Sequence, residues 1–94
     1  METYNEIQIA EKLEGLSGWS LKDKAIEREY KFKNFNQALG FIVRIGLFAE
    51  QMDHHPEIFN VYNQVKIRLN THSANGITDL DFELAGKIEE IFGQ

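Results

Sequence analysis

Hydrophobic residues recur every three or four positions in three parts of the chain, which is the spacing of a helix with one buried side. The first part, residues 4–16, predicts a short amphipathic helix with Thr3 or Asn5 as its N-cap. Gly15 and Gly18 indicate where this helix ends. The chain is therefore expected to begin with a helix that lays one apolar side on a core.

The second predicted helix begins at Asn34 or Asn36 and continues to about Met52. One apolar stripe along it consists of Phe35, Ala38, Leu39, Ile42, Ile45, Ala49 and Met52. Three further apolar residues, Phe41, Leu47 and Phe48, lie off that stripe. A helix that is apolar on more than one face is buried on more than one face. We expect its second face to meet another subunit, with coverage by the N-terminal helix as the alternative.

Alternating apolar and polar residues predict strands between the helices. A short strand is expected at residues 19–21 and a half-buried one at residues 25–33, joined by a polar turn at residues 22–24. Arg28 falls on the apolar side of the second strand and is its odd member. The other inward positions of that strand are Ile26, Tyr30 and Phe32.

Residues 59–71 show the clearest alternation in the chain and predict one long strand. Its apolar face would consist of Val61, Val65, Ile67, Leu69 and Thr71. Asn63 interrupts this face and indicates an edge or a bulge. A short further strand is expected within residues 73–77, next to turn-forming residues.

The last part of the chain predicts a closing helix with a distinct start signal. Thr78 and Asp81 form a capping box in which Asp replaces the usual Glu, and Ile77 precedes it as a hydrophobic staple. The core stripe of this helix consists of Leu84, Ala85, Ile88 and Ile91 or Phe92.

These elements predict a single α+β domain over residues 1–94, in the order α-β-β-α-β-β-α. We expect a small antiparallel sheet of about four strands with helices packed on one face. The chain has no glycine-rich phosphate loop, no internal repeat and no linker. A doubly wound sheet is excluded, because strands and helices do not alternate for long enough.

Composition narrows the class of protein. The net charge is -5 and the ten basic residues are scattered, which argues against a nucleic-acid surface. Because there is no cysteine, disulfides, thiolate zinc sites and thiol catalysis are excluded. The first residues carry acidic side chains and no apolar run approaches the roughly 20 residues of a membrane span. The expectation is a soluble, cytoplasmic protein.

The candidate chemistry lies in residues 50–72, which contain all three histidines. His54 and His55 stand where a helix should stop before Pro56, and His72 stands where a strand should stop. Imidazole exchanges protons near neutral pH, since its ordinary pKa is about 6.5. We expect the three rings to gather at one end of the domain. Glu50, four residues before His54, is expected to accept a ring N–H from it and fix its orientation.

Simpler interpretations stand beside this one. His54 and His55 could form an exposed helix end, where histidine also interacts well with the helix dipole. His72 could be a polar strand terminus. Three histidines also suffice for a catalytic zinc, although no HxH or HxxxH pair is present. Asp81 is better explained as the capping partner of Thr78 than as a catalytic residue.

Several runs of the sequence closely resemble the pterin-4a-carbinolamine dehydratase family between about residues 13 and 91. The resemblance is carried by residues 32–38, 49–57 and 60–65, with the sequence AEQMDHHPE at its centre. The pair Thr71-His72, followed by Gly76-Ile77-Thr78 and then Asp81, Leu84 and Ala85, extends it. The acidic residue after the His-His-Pro motif and the later Thr-His pair make this pattern specific.

The resemblance implies a four-stranded antiparallel sheet with helices on one face, assembled as dimers or tetramers. It implies dehydration of 4a-hydroxytetrahydropterin to quinonoid dihydropterin, without a metal or an organic cofactor, as part of pterin recycling for aromatic amino acid hydroxylases. By resemblance, His54, His55 and His72 are the catalytic histidines, with Glu50 as an acidic neighbour. The substrate-binding residues that it implies are Asp53, His54, His55, Asn70, Thr71, His72, Ser73 and Asp81.

The chain departs from the animal members of this family at Ile58, Gln51 and Leu80, where Trp, Lys and Arg are common. These three positions are expected at the rim of the site, and all three histidines are retained. A second hypothesis is a non-catalytic pterin-binding or regulatory dimerisation protein on the same fold. The complete set of histidines favours the enzyme.

Overall fold

The computed structural model describes residues 1–94 and has three α-helices beside one four-stranded sheet. The elements are α1 (Glu6–Leu13), β1 (Ser20–Lys22), β2 (Ala25–Lys31), α2 (Phe35–Gln51), β3 (Glu57–Val61), β4 (Gln64–Leu69) and α3 (Asp79–Phe92). The strand order is β1-β2-β4-β3, and every neighbouring pair is antiparallel. The α+β class and the element order predicted from the sequence are confirmed. None of the helices has the length and apolar character needed to cross a membrane.

The prediction of one long strand over residues 59–71 is wrong, because a hairpin turn at Tyr62 and Asn63 divides this segment into β3 and β4. Tyr62 adopts a left-handed backbone with φ 49°, and the Asn63 side chain donates to the Phe32 carbonyl at 2.8 Å. The reversal places Val61 on the opposite sheet face from Val65, so Val61 is exposed while Val65 is buried. The further strand expected within residues 73–77 is absent. A 3₁₀ turn and a single bridge between residues 71 and 76 take its place.

One face of the sheet forms the core together with the helices. The side chains of β2 and β4 that belong to this core are Ile26, Tyr30, Val65, Ile67 and Leu69. The buried residues of α3 include Leu84, Ala85, Ile88 and Ile91, as the sequence predicts. The expected packing of helices on one face therefore holds, and the other face of the sheet is left open.

The buried side of α2 is rotated from the predicted stripe. Its fully covered residues are Ala38, Phe41, Ile45 and Ala49, so Phe41 belongs to the core. Phe35 and Leu39, which the prediction placed inside, are 45% and 44% exposed. The stripe was misplaced because the helix carries apolar residues around more than half of its circumference, and spacing alone does not say which arc faces the sheet.

Arg28, the polar residue on the inward side of β2, is satisfied by neighbouring elements. Its guanidinium pairs with Glu89 of α3, donates to the Ser17 carbonyl at 2.9 Å and lies 4.5 Å from the Tyr30 ring centroid. Gly18 has φ +89°, and a Cβ there would stand 2.7 Å from the Arg28 Nε. Glycine at this position therefore leaves room for the arginine.

Candidate active site

The antiparallel pairing of β3 with β4 explains how distant histidines come to one end of the sheet. His54 and His55 lie just before β3, whereas His72 follows β4 in the 3₁₀ turn His72–Ala74. The first residue of β3, Glu57, pairs with Arg68 near the end of β4. The start of one strand therefore adjoins the end of the other, and the gathering of the histidines at one end follows from the register.

The turn out of α2 decides where the two adjacent histidines point. Asp53 takes a left-handed backbone with φ 52°, while the His54 N–H still donates to the Ala49 carbonyl at 3.1 Å. His54 is buried and only 7% exposed, whereas the His55 side chain is 57% exposed. The helix thus ends with one imidazole turned inward and its neighbour turned outward.

The buried imidazole meets a buried carboxylate. His54 Nε2 lies 2.6 Å from Asp81 Oδ1, and Asp81 is fully inaccessible to solvent. The other Asp81 oxygen accepts from the Thr71 hydroxyl and from the Thr78 backbone N–H, each at 2.9 Å. The capping box predicted for α3 is confirmed, and the same carboxylate also binds the histidine. Asp81 is buried and contacts His54 directly, so it positions that imidazole.

The outer imidazole has a carboxylate partner of its own. His55 Nε2 lies 2.6 Å from Glu50 Oε1, and both side chains are largely exposed. The predicted pairing of Glu50 with His54 is therefore wrong. That prediction assumed that the helix persists to residue 54, but α2 ends at Gln51 and the chain then turns His54 toward α3.

His55 and His72 line the same small cleft of about 10 Å³ at the open side of the sheet, together with Ala25, Glu57, Arg68 and Asn70. Arg68 bonds Glu27 at 3.0 Å, Glu57 at 3.3 Å and two carbonyls of the β1–β2 turn. The sequence pattern does not single out Arg68, because on the polar side of a strand it resembles any solvated basic residue. The cleft therefore combines two exposed imidazoles with one positioned cation.

A larger cavity of about 610 Å³ adjoins the cleft. It lies between the start of α1, the turn after β1 and the segment that carries His72. Asn70 and His72 line both spaces. His72 therefore stands at their boundary.

The remaining residues expected at the site are more scattered. Asp53 and Ser73 are exposed, and Thr71 is buried in the Asp81 network, where its hydroxyl also lies 2.7 Å from that of Thr78. None of the three lines the cleft or the cavity. The structure contains no group of three or more His, Cys, Asp or Glu side chains arranged to hold a metal ion. The three imidazoles thus share one end of the domain without converging on one point.

Comparison with known proteins agrees with the fold. The sequence profile of the family described as pterin 4 alpha carbinolamine dehydratase matches residues 2–91. Proteins of Brucella ovis and of Brucella melitensis biotype 1, each named "Putative pterin-4-alpha-carbinolamine dehydratase", are 48% identical over 90 residues, covering 94% of this chain and 93% of theirs.

A solved structure is also similar. The crystal structure of a Brucella melitensis protein, described as a transcriptional coactivator/pterin dehydratase, superimposes with a TM-score of 0.92 at 46% identity. The match covers 96% of this chain and 98% of that one. By sequence and by fold, the chain belongs to the pterin-4-alpha-carbinolamine dehydratase family.

Proposed function

We propose that this chain dehydrates 4a-hydroxytetrahydropterin to quinonoid dihydropterin and water by histidine acid–base catalysis. The observation that carries the proposal is the cleft in which His55 and His72 stand together with Arg68. Membership of the family supplies the substrate class, and the cleft supplies two groups that exchange protons near neutral pH.

The reaction requires two proton transfers on neighbouring atoms. The hydroxyl on C4a leaves as water once an acid protonates it, and the lone pair of N5 forms the new C4a–N5 double bond. A base then removes the proton from N5. The acid gives one proton and the base takes one, so the two catalytic groups have exchanged their protonation states after each turnover. Each transfer is worth roughly 10²–10⁴-fold in rate.

The structure supports a division of roles among the histidines. We assign the acid that protonates the hydroxyl to His55, whose ring Glu50 orients, and the base that takes the N5 proton to His72. His54 has its Nε2 committed to Asp81, which leaves Nδ1 as the nitrogen with which it can bond a substrate. Its function is to hold the ligand beside the two exposed imidazoles.

We further propose that the reaction needs no metal or organic cofactor and returns pterin to an aromatic amino acid hydroxylase. The cytoplasmic location expected from the sequence stays a prediction.

The open side of α2 supports a homodimer or homotetramer. Four apolar residues at four-residue intervals form this α2 apolar face: Phe35, Leu39, Val43 and Leu47, which are 45%, 44%, 52% and 64% exposed. No other element of the chain covers them, and exposed apolar patches of this kind mark protein contacts. We propose that a second copy of the chain packs here.

The same surface also fits the second candidate function, a non-catalytic regulatory dimerisation protein. The observation that favours it is the coactivator role named for the similar Brucella melitensis structure. The two functions differ in what they require of the cleft, because a protein that acts only through α2 has no need of exposed imidazoles.

A dehydration assay on chemically generated 4a-hydroxytetrahydropterin tests the enzyme directly. The wild-type protein, treated with chelator, should accelerate the reaction well above its spontaneous rate, and His55→Ala should lose most of that acceleration. Asn36→Ser, a change on the exposed first turn of α2, is the matched control and should behave as wild type. Absence of any wild-type acceleration would refute the dehydratase and favour the regulatory protein.

A further inference from the structure

Arg68 connects the cleft to the wall of the larger cavity. It lines the cleft, and its Nη2 donates to the backbone carbonyls of Lys22 at 2.9 Å and Asp23 at 3.1 Å, two residues that line the cavity. Its Nε donates to Glu27 at 3.0 Å, and its Nη1 donates to Glu57 at 3.3 Å. Four of the five N–H groups of the guanidinium are therefore used, each on a different residue.

The strand register fixes the place of this guanidinium. Arg68 in β4 stands directly opposite Glu27 of β2 on one side and Glu57 of β3 on the other. Residues paired across strands in this way lie on the same sheet face, where their side chains interact. The Arg68 side chain is only 20% exposed. Because a planar guanidinium with bonds on several sides has one orientation, Arg68 is a fixed support and not a mobile surface cation.

The β1–β2 turn that Arg68 holds is not favoured by its own sequence. Lys22 pairs with Ala25, so only Asp23 and Lys24 connect the two strands. These two residues have φ values of 49° and 66°, the positive values that a type I′ turn requires. Aspartate tolerates this backbone, but the second position of such turns is normally glycine, because a Cβ is disfavoured there. The bonds from Arg68 to the turn carbonyls therefore help to stabilise the turn.

The position of the turn matters for the ligand. This step rests on the proposed function, in which His55 and His72 act on a pterin. The cleft of about 10 Å³ is far smaller than a pterin ring, so the ring has to extend past His72 into the adjoining cavity of about 610 Å³. The β1–β2 turn forms one side of that cavity. A displaced turn loses contact with the ring, which lowers the affinity for the pterin and leaves the imidazoles in place.

We propose that Arg68 is a positioning residue of the pterin site, which holds the β1–β2 turn in the conformation that binds the ring. Arg68 acts through the turn and transfers no proton. Its removal should therefore raise KM and leave kcat nearly unchanged. A general loss of folded protein would have the opposite signature, because it lowers the apparent kcat and leaves KM as it is.

The test is a cycle of two substitutions, Arg68→Gln and Lys24→Gly. In the wild-type background Arg68→Gln should raise KM about tenfold, since hydrogen bonds from a charged donor are lost. Lys24→Gly supplies the Asp-Gly sequence that favours this turn by itself, so in that background Arg68→Gln should raise KM less than about threefold. Lys33→Gln, exposed beyond the far end of β2, is the control and should keep the wild-type KM. An equal rise of KM in both backgrounds, or a fall in kcat at constant KM, would overturn the proposal.

The variant Arg68→Lys separates the position of the guanidinium from its charge. Lysine keeps a positive charge between Glu27 and Glu57, but its single nitrogen cannot also reach the turn carbonyls, so KM should stay raised. A wild-type KM in Arg68→Lys would show that charge alone suffices and would overturn the proposal.

A binding measurement separates this inference from the proposed function. The dissociation constant of a stable 7,8-dihydropterin, measured by calorimetry, should rise in Arg68→Gln and Arg68→Lys and should recover when Lys24→Gly is added to Arg68→Gln. If this pattern holds but wild type dehydrates no carbinolamine, the assignment of Arg68 stands and the dehydratase fails. If Arg68→Gln binds the dihydropterin as tightly as wild type does, the assignment of Arg68 is overturned, whatever the outcome of the dehydration assay.

Discussion

His54 Nε2 lies 2.6 Å from Asp81 Oδ1, although 27 residues separate them, and this buried contact ties the end of α2 to the start of α3. Asp81 also holds Thr71, the residue before His72. One carboxylate therefore connects both segments that carry the histidines. The outer pair, His55 with Glu50, has no such support and lies in solvent. The two pairs should respond differently to mutation.

Asp81→Asn should damage both the site and the fold. The side-chain amide of asparagine keeps one acceptor oxygen, but its NH₂ group cannot accept a hydrogen bond. One of the buried groups that donate to Asp81 is therefore left without an acceptor. We expect a loss of about 1–3 kcal/mol in the free energy of unfolding. The rate should fall at least about tenfold, because the orientation of His54 is lost. Denaturant titration and the dehydration assay check the two effects.

Glu83→Gln, an exposed carboxylate on the same helix, is the matched control for Asp81→Asn and should change neither quantity. A stable Asp81→Asn protein with a wild-type rate would show that the buried contact is dispensable.

Glu50→Gln should have a smaller effect, and one that depends on salt. Its pair with His55 is exposed, so it is worth at most about 1 kcal/mol and is screened by ions. At low ionic strength we expect kcat/KM to fall less than about tenfold, and the difference from wild type should become smaller as salt is added. Assays of wild type and variant across a salt series measure this. If kcat/KM fell further in Glu50→Gln than in Asp81→Asn, the buried pair would not be the stronger support of the site.

The pH–rate profile of the wild type should be bell-shaped, because the proposed mechanism needs one histidine protonated and another neutral. His55→Ala or His72→Ala should remove one limb of the bell together with roughly 10²–10⁴-fold of rate. Measurement of kcat/KM at closely spaced pH values between 5 and 9 checks both statements. A flat wild-type profile would argue against acid–base work by these side chains.

Tyr30 should make the protein sensitive to alkali. Burial, and next the charge of Glu89, raise the pKa of Tyr30 above its ordinary value of 10.0, and its hydroxyl is buried without a hydrogen-bond partner. The unfolded chain therefore loses this proton at a lower pH than the folded protein. The stability from Tyr30 is fully present below pH 10 and is lost as the pH rises toward the folded pKa.

Tyr30→Phe should reduce the fall in stability above pH 10 and should be neutral or stabilising at pH 7, since it removes an unpaired buried hydroxyl. Tyr62→Phe, on the exposed hairpin turn, is the control. Urea midpoints measured at pH 7 and at pH 10.5 give the comparison. Equal alkaline losses in wild type and Tyr30→Phe would exclude this tyrosine as the source.

A charge on the α2 apolar face should break the proposed assembly. Leu47→Lys replaces a 64% exposed apolar side chain, so the folded chain tolerates it, whereas a partner packed on it would have to bury a charge. Light scattering should show a lower mass for Leu47→Lys than for wild type. Ala10→Lys, exposed on α1, should leave the mass unchanged. A monomeric wild type at micromolar concentration would rule out the interface.

The sequence by itself determined the helices, their caps and the fold class. Capping at Thr78 and Asp81 is local chemistry between residues three apart, and the stripe of α3 repeats at helical spacing, so neither depends on distant contacts. The histidines could be recognised because their motif is contiguous. The hairpin at Tyr62 escaped prediction, since the alternation of residues on both sides of a two-residue turn resembles that of one strand.

Only the tertiary structure decided which carboxylate serves which histidine. Sequence distance favoured Glu50 for His54, but the left-handed turn at Asp53 sends His54 inward to Asp81 and His55 outward to Glu50. The buried arc of α2 was likewise fixed by contact with the sheet. In both cases the sequence offered several groups of suitable chemistry, and the choice among them depended on the direction of side chains, which is set when distant segments pack together.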